Sequence, residues 1–193
     1  MKKKPILTAR EAANLLQNGD NFMAAGFVSS GIPEHIYKAI EERFLETGEP
    51  RDLSFYFVSS QGDKEGHGAE HLAHEGLLKR TVGAHYAKMP ALYKMVNDNK
   101  FEAYNMPQGV MAQILRDIAG GRVGHITSVG INTFVDPRNE GGKLNDITTE
   151  DIVEVVNIGG KEQLLYKPFY PNIAFLRGST ADEALLSRIF LNG

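Results

Sequence analysis

The sequence predicts an α/β protein, an open and mainly parallel sheet with flanking helices. Short apolar runs of strand length alternate with segments whose apolar residues recur at helical spacing, the pattern of a parallel sheet. A chain of 193 residues with 42% hydrophobic content can bury one sizeable core. No low-complexity linker or internal repeat divides it, so residues 1–193 read as one domain or a large part of one.

The elements follow in order. Thr8-Ala9-Arg10-Glu11 is a capping-box pattern, Ala12, Leu15 and Leu16 continue it at helical spacing, and Asn18-Gly19 ends the helix. Phe22 to Phe27 reads as a short buried strand. Pro33 suits the first turn of a second helix with the stripe Ile36, Ala39, Ile40 and Phe44 and a stop at Gly48. Leu53 to Val58 is a strand, Gln61 to Gly68 a polar loop, Ala69 to Leu78 a helix, and Thr81 to Tyr86 a strand. Pro90 to Asn97 and Gln108 to Ala119 are helical, with Phe101 to Asn105 extended between them and His125 to Val129 extended after them. From Thr133 a Gly/Asn-rich loop, VDPRNEGGKLND, precedes two β-rich runs, Ile152 to Ile158 and Gln163 to Tyr166, joined by a Gly159-Gly160 hairpin signal. Asn172 to Leu176 is a further buried strand.

Composition removes several functions. A formal net charge of -3, with no Lys/Arg cluster beyond Lys2-Lys3-Lys4, supplies no basic field for nucleic acid. The absence of cysteine removes disulfides, thiolate metal sites and a Cys nucleophile together. Arg10 and Glu11 interrupt the first apolar stretch before a signal peptide or membrane span develops, and a soluble, cytoplasmic protein is expected.

The stretch NGDNFMAAGFVSSGIPEHI, Asn18 to Ile36, is a Gly-rich strand-to-helix turn. Ligands of open α/β sheets sit beyond the carboxyl ends of the strands, and Gly26 and Gly31 would let one approach the backbone. The spacing matches neither GxGxxG nor the GxxxxGK[ST] phosphate loop.

The stretch resembles the amino-terminal signature of the family I coenzyme A transferases. Asn18-Gly19, Phe22-Met23-Ala24, Gly26-Phe27, Gly31 and Pro33 fall on that signature, and Ala25 stands where the family usually has glycine, a position that would be strained at positive φ. MPQGVMAQILRDIAGGRVGHITSVGINTFVDPR, NEGGKLN, HLAHEGLLKR and NIAFLRGSTAD resemble further segments of the short-chain acyl-CoA transferase branch. Together they cover the chain to about Asp182.

The resemblance implies an amino-terminal, α-type portion of an enzyme that moves coenzyme A between a short-chain acyl-CoA and a carboxylate such as acetate. Coenzyme A is then a substrate and no cofactor is called for. Transfer needs a carboxylate nucleophile backed by oxyanion-stabilising donors, and the family carries its Glu in a Ser-Glu-Asn-Gly setting in the second half or a β subunit. No Glu here has that setting; Glu183 follows Ala181-Asp182 and precedes Ala-Leu-Leu. The chain alone is expected to be inactive and its fold incomplete, with an open sheet edge, a missing β half or β subunit as partner, and a homo- or hetero-oligomer as the working form. By resemblance, Gly26, Phe27, Gly31, Pro33, Gln61, Gln108 and Gly109 form the substrate-pocket and CoA signature. Gln108 either meets the acyl group through its amide or caps the following helix. Ser59-Ser60-Gln61-Gly62 stands where many relatives carry an Asn pair.

Other features have ordinary readings. His67, Glu70, His71, His74 and Glu75 have metal-ligand spacing, yet paired or solvated side chains are the plainer account, and no metal is expected. His85 and His125 read as strand-end histidines, Met89, Met95, Met106 and Met111 as core fillers, and Arg138 as a partner for a loop carboxylate. Two rival functions stay open: a non-enzymatic subunit or binding module, and a sugar-phosphate isomerase-like enzyme. The second lacks a basic residue near the Gly26 turn.

Overall fold

The computed structural model describes residues 5–181 together with Ser187 and Arg188. Helix α1 (Ala9–Ala13) opens with the capping box read from sequence: the Thr8 hydroxyl accepts from the Glu11 N–H at 3.2 Å, and the Glu11 carboxylate accepts from the Thr8 N–H at 2.8 Å. It ends before the predicted Asn18-Gly19 stop. Arg43 Nη1 donates to the carbonyls of Ala13 at 2.9 Å and Leu16 at 2.8 Å, satisfying orphan groups from outside the helix. Strand β1 (Asn21–Ala24) is shorter than the predicted Phe22 to Phe27, because Phe27 and Ser30 close a tight turn by reciprocal backbone hydrogen bonds of 2.9 Å. Helix α2 (Glu34–Thr47) stops at Gly48, whose φ of +74° suits a left-handed cap.

Strand β2 (Leu53–Phe57) follows, and then the largest departure from the sequence reading. The predicted helix Ala69 to Leu78 is only a 3-10 turn, Ala69–Leu72, and Leu78 already begins β3 (Leu78–Gly83). Gly76, at φ +87° against the Arg51 guanidinium, breaks the helical path. Helix α3 (Pro90–Asn97), β4 (Glu102–Asn105) and α4 (Gln108–Ala119) come next; both helices match their predicted bounds. Strands β5 (His125–Thr127), β6 (Val153–Ile158), β7 (Lys161–Tyr166), β8 (Ile173–Phe175), β9 (Thr180–Ala181) and β10 (Ser187–Arg188) complete the order.

Five strands, ordered β4-β3-β2-β1-β8, form one sheet in which every pairing is parallel. Period-two alternation sends Phe22, Phe55 and Phe57 to one face, against Tyr37 and Ile40 of α2 and Leu92 of α3. Met23, Tyr56 and Tyr104 go to the other, against Val110 and Ile114 of α4 and Leu164 and Tyr166 of β7. Strands β5, β7 and β6 make the antiparallel sheet of that second layer, joined by the Gly159-Gly160 turn. All five β2 residues are buried, as a central parallel strand requires. Each fully buried large side chain contributes roughly 1.5–3 kcal/mol. Met89, Met106 and Met111 are buried and Met95 is partly so, all within these two cores.

The two edges of the parallel sheet differ. The outer side of β4 is covered by residues 142–148: Asn105 N–H donates to Gly142 O at 2.8 Å, Leu144 N–H to Ala103 O at 2.9 Å, and Ala103 N–H to the Thr148 hydroxyl at 2.8 Å. Beyond β8, no strand of the described residues pairs. No helix among the described residues is long and apolar enough to cross a membrane.

Candidate functional site at the carboxyl edge of the sheet

Parallel strands put all their carboxyl ends on one edge, so the turns after β1, β2, β3 and β4 share a surface. Gly26, Phe27, Gly31 and Pro33 follow β1, Gln61 follows β2, and Gln108 and Gly109 begin α4 after β4. The strand order sets Gln108 three strands from Gly26, roughly 14 Å at 4.8 Å per step. The sequence-predicted residues therefore fall into two groups.

In the first group, Gly26 stands at φ +149°, and a Cβ there would lie 2.5 Å from Ile32 Cγ2. Its close neighbour is this chain's own Ile32. Gly31, at φ +69°, faces open space. Ala25 is absent from the positive-φ positions, so alanine carries no strain at the family's glycine position. Val28 takes φ +56°, an outlier for a β-branched residue. Two backbone bonds hold it there: Val28 N–H to Ser60 O at 2.8 Å and Gly62 N–H to Val28 O at 3.1 Å. Phe27, 57% exposed, is presented at the tip. Pro33 is buried at the N-cap of α2.

Gln61 supports this turn from beneath. It is fully buried; its Nε2 donates to Ala24 O at 2.7 Å, and its Oε1 accepts from the Tyr37 hydroxyl. Its carbonyl accepts from Ala69 N–H at 2.8 Å. The Gln61 side chain thus ties the end of β1 to α2, while its backbone carbonyl ties the strand-following loop to the 3-10 turn. Burial, then the nearby Glu34 charge, push the Tyr37 phenol well above its usual range, which keeps it a donor. Sequence reading missed Tyr37, since a tyrosine beside an apolar helix stripe carries no mark of its partner.

The second group centres on Gln108. It is exposed, and Pro107 holds the N-cap position without a side-chain bond, so Gln108 does not cap α4. His85 sits nearby at φ +28°, its N–H donating to Asn105 Oδ1 at 2.8 Å and its Nε2 lying 3.4 Å from the buried Ser59 hydroxyl. Gln108, His85, Pro107, Met106, Val129 and Phe134 contribute to an open groove of about 420 Å³. Gly109 is exposed with nothing near its missing Cβ.

The remaining polar candidates have protein partners. His71 meets Glu41 at 2.6 Å and Glu34 at 2.9 Å, and His74 meets Glu41 at 2.7 Å. Burial raises the Glu41 carboxyl, but His74 and His71 outweigh it and the net shift is downward. The Glu70 carboxylate accepts from Ala91 N–H at 3.0 and 3.2 Å, capping α3. His125 and Arg122 bind Asp117 at 2.6 and 2.7 Å. Arg138 grips the buried Asp136 through two nitrogens, at 2.9 and 2.8 Å, and reaches Glu162 at 3.1 Å.

Comparison with known proteins identifies the family. Residues 6–185 match the family model described as Coenzyme A transferase. The chain is 43% identical over 178 residues to the caffeate CoA-transferase of Acetobacterium woodii, covering 92% of this chain and 34% of that protein. It is 39% identical over 181 residues to the acetate CoA-transferase YdiF of Escherichia coli (strain K12), covering 93% and 34%. The crystal structure of the acyl-CoA transferase (YdiF) apoenzyme from Escherichia coli O157:H7 superimposes with a TM-score of 0.91 at 36% identity, covering 97% of this chain and 36% of that one. This chain spans about a third of the length of these relatives. Over nearly its whole described length, from the Gly26 turn to the strand at β8, the chain belongs to the coenzyme A transferase family.

Proposed function

We propose that this chain is the amino-terminal, α-type portion of a transferase that moves coenzyme A between a short-chain acyl-CoA and a carboxylate, with its nucleophilic Glu outside residues 1–193. The observation that carries this reading is a carboxyl edge lined by the Gly26–Gly31 turn and the start of α4, with no uncommitted glutamate beneath them among the described residues. Glu34 accepts from Gly68 N–H at 2.7 Å and from His71, and Glu70 caps α3. Glu65 stands exposed on an open loop.

In the proposed ping-pong cycle, the external glutamate attacks the acyl thioester carbonyl, expelling CoA thiolate and leaving a mixed anhydride. The thiolate attacks the glutamyl carbonyl, the first carboxylate departs, and glutamyl-CoA thioester remains. The acceptor carboxylate then runs the two steps in reverse. This chain's part is to hold and orient substrate with the Gly26–Gly31 turn and the Gln108 amide. Coenzyme A is a substrate, the working form is an oligomer with a β-type portion, and the location is cytoplasmic.

The test is CoA exchange between acetyl-CoA and labelled acetate, with the purified chain alone and after mixing with a β-type polypeptide containing Ser-Glu-Asn-Gly. No exchange alone and exchange on mixing are expected. Exchange by the chain alone would refute the external nucleophile; association without exchange would favour a binding module.

A further inference from the structure

The groove beside Gln108 has a composition that selects among the parts of an acyl-CoA. Its walls come from residues after β3 and β4 and from residues 129–135, and none of its lining residues is Lys, Arg, Asp or Glu. A phosphate-bearing nucleotide would find no cation there. The lining is mainly apolar; of its polar side chains, Asn105 accepts from His85 N–H and the Thr133 hydroxyl donates to Gly130 O, with the Gln108 amide and His85 beside them.

The wall formed by residues 129–135 is pre-formed. The Tyr166 hydroxyl donates to Val129 O at 2.7 Å, the Thr133 hydroxyl to Gly130 O at 2.7 Å, and Gly142 N–H to Phe134 O at 3.0 Å. Gly142 O in turn accepts from Asn105 N–H, so the wall is tied to the end of β4. Burial, then the Asp136 charge, push the Tyr166 phenol up to about 12, which keeps its proton in place. On this fixed wall Val129 is 52% exposed and Phe134 43% exposed. Two large apolar side chains held half in water gain little from folding and are poised to gain from a ligand. The volume, about 420 Å³, lies within the range of pockets for drug-sized ligands, roughly 300–1,000 Å³, and exceeds what a two-carbon group fills.

We infer that this groove receives the hydrocarbon part of the acyl group, and that Val129 and Phe134 bias the site toward acyl chains longer than acetyl. The inference rests on the transferase reading. Gln108 meets the carboxyl or thioester oxygen at the polar end, and the chain lies against Phe134.

Sodium hexanoate and sodium acetate, each titrated into the 193-residue chain under methyl and amide NMR, test it. Hexanoate is expected to shift the Val129 and Val135 methyls and the Gln108 side-chain amide, with at least about tenfold higher affinity than acetate. Phe134→Ala should weaken hexanoate about tenfold and leave acetate unchanged, and Phe134→Leu should recover most of the loss. Silence of the groove methyls, equal affinities, or indifference to Phe134→Ala would overturn the inference. So would shifts of those methyls caused by the β-type polypeptide and not by hexanoate. Coenzyme A titrated in parallel separates the two readings. Shifts at Gly26 to Ser29 with a silent groove defeat the acyl assignment alone, whereas silence at both places also counts against the transferase reading.

Discussion

At the residue scale, two glycines of one turn have different reasons to be glycine. Gly26→Ala would drive a Cβ to 2.5 Å from Ile32 Cγ2 at φ +149°, and a loss of about 2 kcal/mol is expected from the clash and the strain. Gly31→Ala meets only the φ of +69°, so about 1 kcal/mol is expected. Urea unfolding of the two variants checks the ordering, and equal losses would contradict it. Gln61→Leu leaves Ala24 O and the Tyr37 hydroxyl unpaired in the core; about 3 kcal/mol should disappear from the same measurement. The sequence marked all three positions. It could not say that the turn folds Ile32 back over Gly26, or that Gln61 faces inward, because Gln61 meets Ala24 only when β1 and β2 pair.

At the element scale, residues 129–142 show what a chain does when no regular element closes its hydrogen bonds. Asp136 accepts from the N–H groups of Asn132 at 2.9 Å and Arg138 at 3.0 Å while paired to the Arg138 guanidinium. The Arg138 bonds hold its carboxyl far below the ordinary value of 3.8, despite the opposing cost of desolvation. A depressed folded pKa means that the stability is fully present above about pH 4 and is lost as pH falls toward the folded value. The stability difference between the wild type and Asp136→Asn, on the order of 2 kcal/mol at pH 7, should narrow below pH 3.8. A constant difference down to pH 2.5 would contradict the assignment. Sequence reading found this segment as a Gly/Asn-rich loop and Arg138 as a carboxylate partner, but not which carboxylate. It misread Ala69 to Leu78, where helical spacing of apolar residues was taken over the break at Gly76. Helices α3 and α4 were legible to their ends because proline opens or precedes each, and Asn or Gly follows the apolar stripe closely.

At the scale of the molecule, the parallel sheet is covered on one side only among the described residues. The β4 edge is covered by residues 142–148, while β8 is unpaired outward among the described residues, with Leu176 73% exposed just after it. An unpaired edge beside exposed apolar residues invites association, so sedimentation velocity should show the isolated chain self-associating, and Leu176→Lys should reduce it. A wild-type chain that stays monomeric at high concentration would sink this prediction. The sequence by itself determined the alternation of strands and helices, the glycine turn and the family signature, since periodicity and backbone preference are local properties. Only the tertiary structure decided the strand order, and with it the separation of the Gly26 and Gln108 groups, the burial of Gln61 and the groove wall at Phe134. Contacts between residues far apart in the chain depend on which strands pair, and no local pattern encodes that.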